Sequence, residues 1–351
     1  MNDVVILDAA RTAIGTFGGS LAQTPPSVLA TTVTKEAMAR AGVDPALIGH
    51  VSLGHVINTE PRDMYLSRVA AIEAGIPDTT PAMNVNRLCG SGLQAIVSTA
   101  QSIMLGDADF GIAGGAENMS RSPYIMPASR WGQKMGDVKT LDMMLGALNC
   151  PFGTGHMGVT AENVAREHDI SREDQDNFAL TSQNRARAAI DAGYFASQIV
   201  PVEVKVKRDM VPFELDEHPK TTTLEQLAGL RAVFEKDGTV TAGNASGIND
   251  GAAALVLASG DAAEKAGLKP RARSHALKCH SNALTAANAH GAQRLAPADP
   301  FQLIKRFGRD DRTCGAHRMA QSNRAAIGIH FVRIQTKRFV HCAGLGGKGL
   351  V

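Results

Sequence analysis

The sequence predicts an α/β fold built on a largely parallel sheet covered by helices, and three observations carry that expectation. Residues 4–113 alternate short apolar runs with segments of helical period, the pattern of βαβ units. Gly supplies 35 of 351 residues while aromatics reach only 4%, a composition suited to close backbone approach and glycine-lined loops. The apolar fraction is 44% and the charged fraction 20%, ordinary globular usage that excludes a disordered, collagenous or coiled-coil chain. The length accommodates two ordinary domains or one large α/β unit.

Residues 4–8 form an apolar run that reads as a strand, and the chain turns through Arg11-Thr12-Ala13-Ile14-Gly15. Residues 27–41 follow a helical pattern, with Leu29, Val33 and Ala37 four apart, and Gly42 is placed to end it. Residues 50–57 read as a strand and 63–74 as a helix stopped by Gly75 and Pro77. Ala82–Val85 is a strand, 90–105 a helix and 110–113 a strand. From about Glu117 to Gly247 the pattern loosens into an inserted subdomain, too long for a plain loop. One clear helix lies inside it, opened by Ser171 with Asp174 three residues on, a variant capping box, and closed by Gly193. Residues 251–258 are small and apolar and fit either a helix N-terminus or a strand. Residues 260–266 fit a short helix before Gly267.

After Arg273 regularity fails. Residues 1–273 hold 24 Lys and Arg against 31 Asp and Glu, whereas 274–351 hold 12 against 3, with six of the 11 His. The overall charge of +2 therefore hides a net −7 followed by a net +9. No apolar run reaches the ~18 residues of a membrane helix, and the N-terminus lacks the basic start and apolar stretch of a signal peptide. Five cysteines without framework spacing point to free thiols in a reducing cytoplasm.

The sharpest chemical feature is Asn86-Arg87-Leu88-Cys89-Gly90-Ser91-Gly92. A strand runs into a cysteine and then into a helix start of small residues. The N-terminus of a helix, with its macrodipole and unpaired N–H groups, favours negative charge on a sulfur placed there. Cys89 is thus a candidate covalent nucleophile. On spacing alone, a buried structural thiol is an equal alternative.

Four further segments accompany it in order: Arg11-Thr12-Ala13-Ile14-Gly15, residues 114–120 (Gly-Gly-Ala-Glu-Asn-Met-Ser), His156-Met157-Gly158 with Ala161-Glu162-Asn163, and residues 240–252. Together the five resemble the thiolase family over residues 2–273, and within it the biosynthetic acetyl-CoA acetyltransferases and β-ketothiolases. The resemblance implies a layered αβαβα fold. Residues 1–116 and 248–270 would form the N-terminal half, 117–247 an inserted CoA-binding loop domain, and 271–351 an aberrant basic segment where the C-terminal half is lost or replaced. It implies Claisen condensation or thiolysis of acyl-CoA through an acyl-Cys intermediate, no cofactor beyond the CoA thioester substrates, no metal, and a cytoplasmic homotetramer. Fatty acid metabolism or polyhydroxyalkanoate biosynthesis is the metabolic setting implied.

By position, Cys89 matches the acyl-accepting nucleophile, and His156 and Met157 match the loop bordering CoA and the acyl group. Leu148, Phe234, Ala242, Ala245, Ser246 and Ile248 match positions along the pantetheine channel. Lys220 stands where the family often has an Arg near the CoA phosphates, keeping the charge without the planar fork. Core packing for Met157 and a solvated charge for Lys220 are the plainer alternatives, and His55 and His218 read as surface or satisfied histidines.

The tail departs from the family. Its Asn-Glu-Ala-Phe and Gly-His-Pro segments are absent, and Ala289-His290-Gly291-Ala292 does not replace the latter. Cys342, in Cys342-Ala343-Gly344-Leu345-Gly346-Gly347, only faintly resembles the family's second cysteine motif. The expectation is therefore a thiolase impaired in turnover. Two other readings stand beside it: a ketoacyl-synthase-like condensing enzyme, and an inactive acyl-CoA-binding relic. Nucleic-acid binding by the tail is a weak third, since its 12 cations are scattered among few aromatics.

Overall fold

The computed structural model describes residues 3–274. These group into two compact units. One comprises the chain up to Asn149, Ala192–Lys220 and the stretch from Gly247; the other comprises Cys150–Asp191 and Thr221–Ser246. The second unit is narrower than the inserted subdomain expected over 117–247. Residues 198–216 return to the first unit through Arg11, whose N–H donates to the Gln198 carbonyl at 3.0 Å and whose carbonyl accepts from Val200 N–H at 2.8 Å. The Arg11 guanidinium also grips the Asp216 carboxylate with two bonds of 2.8 and 2.9 Å. Such a two-pronged pair fixes geometry as well as charge.

The first unit is built on a seven-stranded sheet: β1 (Val4–Arg11), β2 (Gly15–Thr16), β3 (Ile48–Gly54), β4 (Ala82–Val85), β5 (Phe110–Asn118), β6 (Asn249–Ser259) and β7 (Ala272–Ser274). The order is β7-β1-β6-β5-β3-β4, with β2 on the end of β6. β3 runs parallel to both β4 and β5. β6 lies antiparallel between β1 and β5, so β1, β3, β4 and β5 share one direction. The expected parallel arrangement holds for those four strands and is corrected by β6, the small-residue stretch that left helix and strand open. Small residues are what its neighbour requires: Ala252, Ala253 and Ala254 face Ala116, Gly115 and Gly114. A Cβ on Gly114 would lie 2.1 Å from the Ala253 carbonyl oxygen.

Helix α1 (Pro26–Ala41) begins with proline in its first turn and ends at Gly42 in the left-handed conformation (φ 65°), where only Gly is free of strain. Its buried Leu29, Val33 and Ala37 join Val5, Leu7, Val51, Ile112 and Val256 in the core. Truncating one of the large members to Ala costs about 2–5 kcal/mol. Helix α2 (Leu66–Glu73) follows a 3-10 turn at Pro61–Tyr65, so the expected helix over 63–74 starts three residues later. Helix α3 (Ser91–Leu105) packs against β3 and β5 through Ala95, Thr99 and Ile103. It can do so because Gly111 is bare: a Cβ there would lie 2.4 Å from the Thr99 methyl. Residues 88–105 do have the length and mean hydropathy, 1.2, of a membrane span, against the expectation that none exists. One face of that helix, with Ala95, Thr99 and Ile103, is buried against this sheet. A short helix, α4 (Met143–Leu148), lies further along in this unit.

The second unit contains α5 (Met157–Glu167), α6 (Arg172–Asp191) and α7 (Leu224–Ala228). Val164, Ala165 and Ile170 form its small core. Ser171 and Asp174 open α6 with reciprocal bonds: Asp174 N–H donates to Ser171 Oγ at 3.0 Å, and Ser171 N–H to Asp174 Oδ2 at 3.3 Å. Back in the first unit, α8 (Gly260–Lys265) is capped by Ser259 and followed by left-handed Gly267.

Candidate active site

The loop that carries Cys89 spans the five residues between β4 and α3. Leu88 takes a left-handed conformation (φ 48°), which costs a non-glycine residue about 1–3 kcal/mol unless neighbours enforce it. They do. Leu88 N–H donates to Asn86 Oδ1 at 3.1 Å, and the Leu88 carbonyl accepts from Ser91 Oγ at 2.6 Å and Ser91 N–H at 2.9 Å. Ser91 Oγ in turn accepts Arg87 N–H at 2.9 Å. The strained turn delivers Cys89 to the position just outside Gly90, the N-cap of α3, with its side chain exposed. A Cβ on Gly92 would meet nothing within 4 Å, so the space beside the helix N-terminus is open. The expected strand–cysteine–helix placement is met, and the buried-thiol alternative is not.

The floor under this loop is tightly closed. A Cβ on Gly54 would lie 2.7 Å from the Ser91 carbonyl carbon, and one on Gly115 would lie 2.8 Å from the Gly54 carbonyl oxygen. Next to these glycines, Glu117 takes Val56 N–H at 2.8 Å and Ile57 N–H at 3.1 Å. Burial pushes its carboxyl above the ordinary range, against the opposing pull of His55. His55 is buried, its Nδ1 2.8 Å from the Ala116 carbonyl oxygen, while Nε2 makes no hydrogen bond and stands 3.9 Å from Asp63 Oδ2. The surface alternative is corrected at His55, which is buried with one ring nitrogen hydrogen-bonded; a histidine after a strand gave no sign that two carboxylates would face it. His218 is half-buried, its Nδ1 3.1 Å from Asn249 Nδ2. Burial first, then the charge of Lys220, lowers its pKa.

In the second unit, His156 caps α5: its Nδ1 accepts Gly158 N–H at 3.0 Å. Its ring stacks on Phe234 with centroids 4.9 Å apart. A Cβ on Gly158 would lie 2.3 Å from that phenyl ring, so only Gly permits the stack. Met157, the first residue of α5, is half-buried. Ala242, Ala245 and Ser246 sit on a turn fixed by Asn244, whose Oδ1 accepts Thr241 N–H at 2.7 Å and whose Nδ2 donates to Asp176 Oδ1 at 2.9 Å. Ala242 and Ser246 are exposed on this turn and Ala245 half-buried. The second unit thus brings His156 against Phe234 and gathers Ala242, Ala245 and Ser246 on one turn. Leu148, at the end of α4, and Lys220 and Ile248 belong with Cys89 to the first unit. Leu148 and Ile248 are half-buried and Lys220 exposed. Cys342 and His290 lie outside the described residues, and no metal-binding cluster occurs among the described ones.

The chain belongs to the thiolase family: residues 4–261 match the family described as thiolase, N-terminal domain. It is 59% identical over 273 residues to the beta-ketothiolase BktB of Cupriavidus necator, spanning 77% of this chain and 69% of that protein. An acetyl-CoA acetyltransferase of the same organism is 49% identical over 286 residues, spanning 81% and 72%. Among solved structures, the Bacillus anthracis acetyl-CoA acetyltransferase matches with TM-score 0.75 and 47% identity, over 78% of this chain and 69% of that one. Human mitochondrial 3-ketoacyl-CoA thiolase in complex with CoA matches with TM-score 0.74 and 43% identity, over 78% and 68%. The ketoacyl-synthase-like alternative gains no support from these relatives.

Proposed function

We propose that this chain is an acetyl-CoA C-acetyltransferase of the β-ketothiolase type, working through an acyl-Cys89 intermediate. The observation that carries the reading is the placement of Cys89: exposed, just outside the N-cap of α3, on a turn whose strain is held by four hydrogen bonds. The Cys89 sulfur attacks the thioester carbonyl carbon of acyl-CoA. The bond from that carbon to the CoA sulfur breaks, and CoA leaves carrying the thiol proton. In condensation the acyl carbon then bonds to the α-carbon of a second acyl-CoA, which gives up a proton, and the acyl–sulfur bond breaks to return the Cys89 thiol. In thiolysis the Cys89 sulfur instead attacks the keto carbon of a 3-ketoacyl-CoA, the bond from that carbon to the α-carbon breaks, the α-carbon takes the proton and leaves as acetyl-CoA, and the acyl group passes from Cys89 to the sulfur of CoA. Backbone N–H groups at a helix N-terminus favour the negative charge that develops during the attack. The CoA thioester is substrate, and no cofactor enters the chemistry.

In this reading His156, Met157, Phe234, Ala242, Ala245, Ser246, Leu148, Lys220 and Ile248 are acyl-CoA-binding positions, as the likeness to the family implies. A slim pantetheine arm suits small and apolar side chains, and the Lys220 cation suits phosphate. A cytoplasmic homo-oligomer, tetrameric as the family implies, in fatty acid or polyhydroxyalkanoate metabolism, completes the proposal. Calorimetry with CoA tests it without requiring turnover. Binding is expected. Reversing the charge in Lys220→Glu should weaken it by roughly 3–10-fold, the scale of a surface charge contact turned repulsive. A folded sample that binds no CoA would refute the reading of the site.

A further inference from the structure

Glu162 stands on α5, five residues beyond Met157, with only 2% of its surface exposed. A carboxylate so buried is costly unless its oxygens are satisfied. Here Oε1 accepts Val240 N–H at 2.8 Å and Thr239 N–H at 2.9 Å. Oε2 accepts Thr239 Oγ1 at 2.9 Å and shares Thr239 N–H at 2.9 Å. The preceding Gly238 leaves no room for a side chain: a Cβ there would lie 2.3 Å from Glu162 Oε1. Gln175 Nε2 on α6 supports the same point by donating to Thr239 Oγ1 at 2.9 Å.

What this carboxylate joins is specific. On its own helix, the N-terminal end carries His156 and Met157. The strand of chain it holds leads through Thr241 and Asn244 into Ala242, Ala245 and Ser246, with Ala245 N–H bonded to the Thr241 carbonyl at 3.0 Å. We propose that Glu162 is a positioning residue for acyl-CoA binding, locking the 239–246 segment onto the helix that bears His156 and Met157. The inference rests on reading those residues as the acyl-CoA loop, and Glu162 itself touches no substrate.

Acetyl-CoA affinity by calorimetry, with the rate of Cys89 alkylation by iodoacetamide as a readout in the other unit, tests it on the full chain. Glu162→Ala should weaken acetyl-CoA by about 10-fold or more, the scale of losing hydrogen bonds to a charged acceptor. Cys89 alkylation should stay within about twofold, since no partner of Glu162 belongs to that loop. Glu162→Gln should bind within about threefold of the unchanged chain, because its amide oxygen can keep both backbone donors and its NH2 can donate to Thr239 Oγ1. If Glu162→Ala fails to fold, Thr239→Val carries the test: its expected loss is about 3–10-fold, and an affinity within twofold of the unchanged chain overturns the inference. So does a Glu162→Ala variant that binds acetyl-CoA normally, or a Glu162→Gln variant as weak as Glu162→Ala. If the unchanged chain binds no acetyl-CoA, the functional reading itself fails, and this inference with it.

Discussion

Changing Cys89 to Ala should eliminate transfer of an acetyl group from acetyl-CoA to the protein. Removing a covalent nucleophile leaves only what binding and polar stabilisation contribute, so the expected loss is roughly 10³-fold or more. Mass spectrometry of the intact chain after incubation with acetyl-CoA reads it directly: one acetyl group on the unchanged chain and none on Cys89→Ala. The Cys150 thiol lies outside any disulfide and should not take over. It is not followed directly by a helix start, as Cys89 is. Acetylation that persists at full rate in Cys89→Ala would move the nucleophile elsewhere.

The second large effect concerns turnover. The chain should show little thiolysis of acetoacetyl-CoA, and replacing residues 274–351 with the C-terminal half of an intact thiolase should raise it by at least about 10²–10³-fold, the cost of one missing oxyanion donor. The reasoning is chemical. A base must stand within about 3 Å of the sulfur in a defined direction, and the tail carries no Gly-His-Pro segment to supply one. Six tail histidines do not substitute, because a sequence without period offers no reason for any of them to reach that position. Residues 4–261 match the family's N-terminal domain, so restoring the missing motifs should be sufficient. Robust thiolysis by the unmodified chain would show that the tail supplies the base after all, and His290→Ala and Cys342→Ser would then be the informative variants.

Much of this scaffold was legible because local signals decide it. Strand Ala82–Val85 is matched to the residue, and Gly42, Gly193 and Gly267 each end a helix with positive φ, the conformation that marks a C-terminal glycine in sequence. Cys89 was legible for the same reason: strand, cysteine and small-residue helix are contiguous. Strand direction was not, because pairing is non-local. Nothing in residues 249–259 tells that they insert antiparallel between β1 and β5, nor does weak β-propensity in Gly114-Gly115 announce that β5 continues to Asn118. Buried polar clusters were equally silent. Glu117 and Glu162 look in sequence like solvated acids near a strand end and on a helix, and only the donors that long-range packing brings to them reveal their work. His55 shows the same gap from the opposite side, a polar ring enclosed where residue type left a surface or a satisfied histidine open.

Limiting iodoacetamide, applied to the folded chain with and without prior incubation in acetyl-CoA and followed by peptide mapping, is the most direct test of Cys89 as the acyl acceptor. The expected result is an adduct on Cys89 ahead of Cys150, Cys279, Cys314 and Cys342, and suppression of that adduct once acetyl-CoA has occupied the sulfur. Preferential labelling of any other cysteine, or Cys89 labelling that acetyl-CoA leaves unchanged, would contradict it.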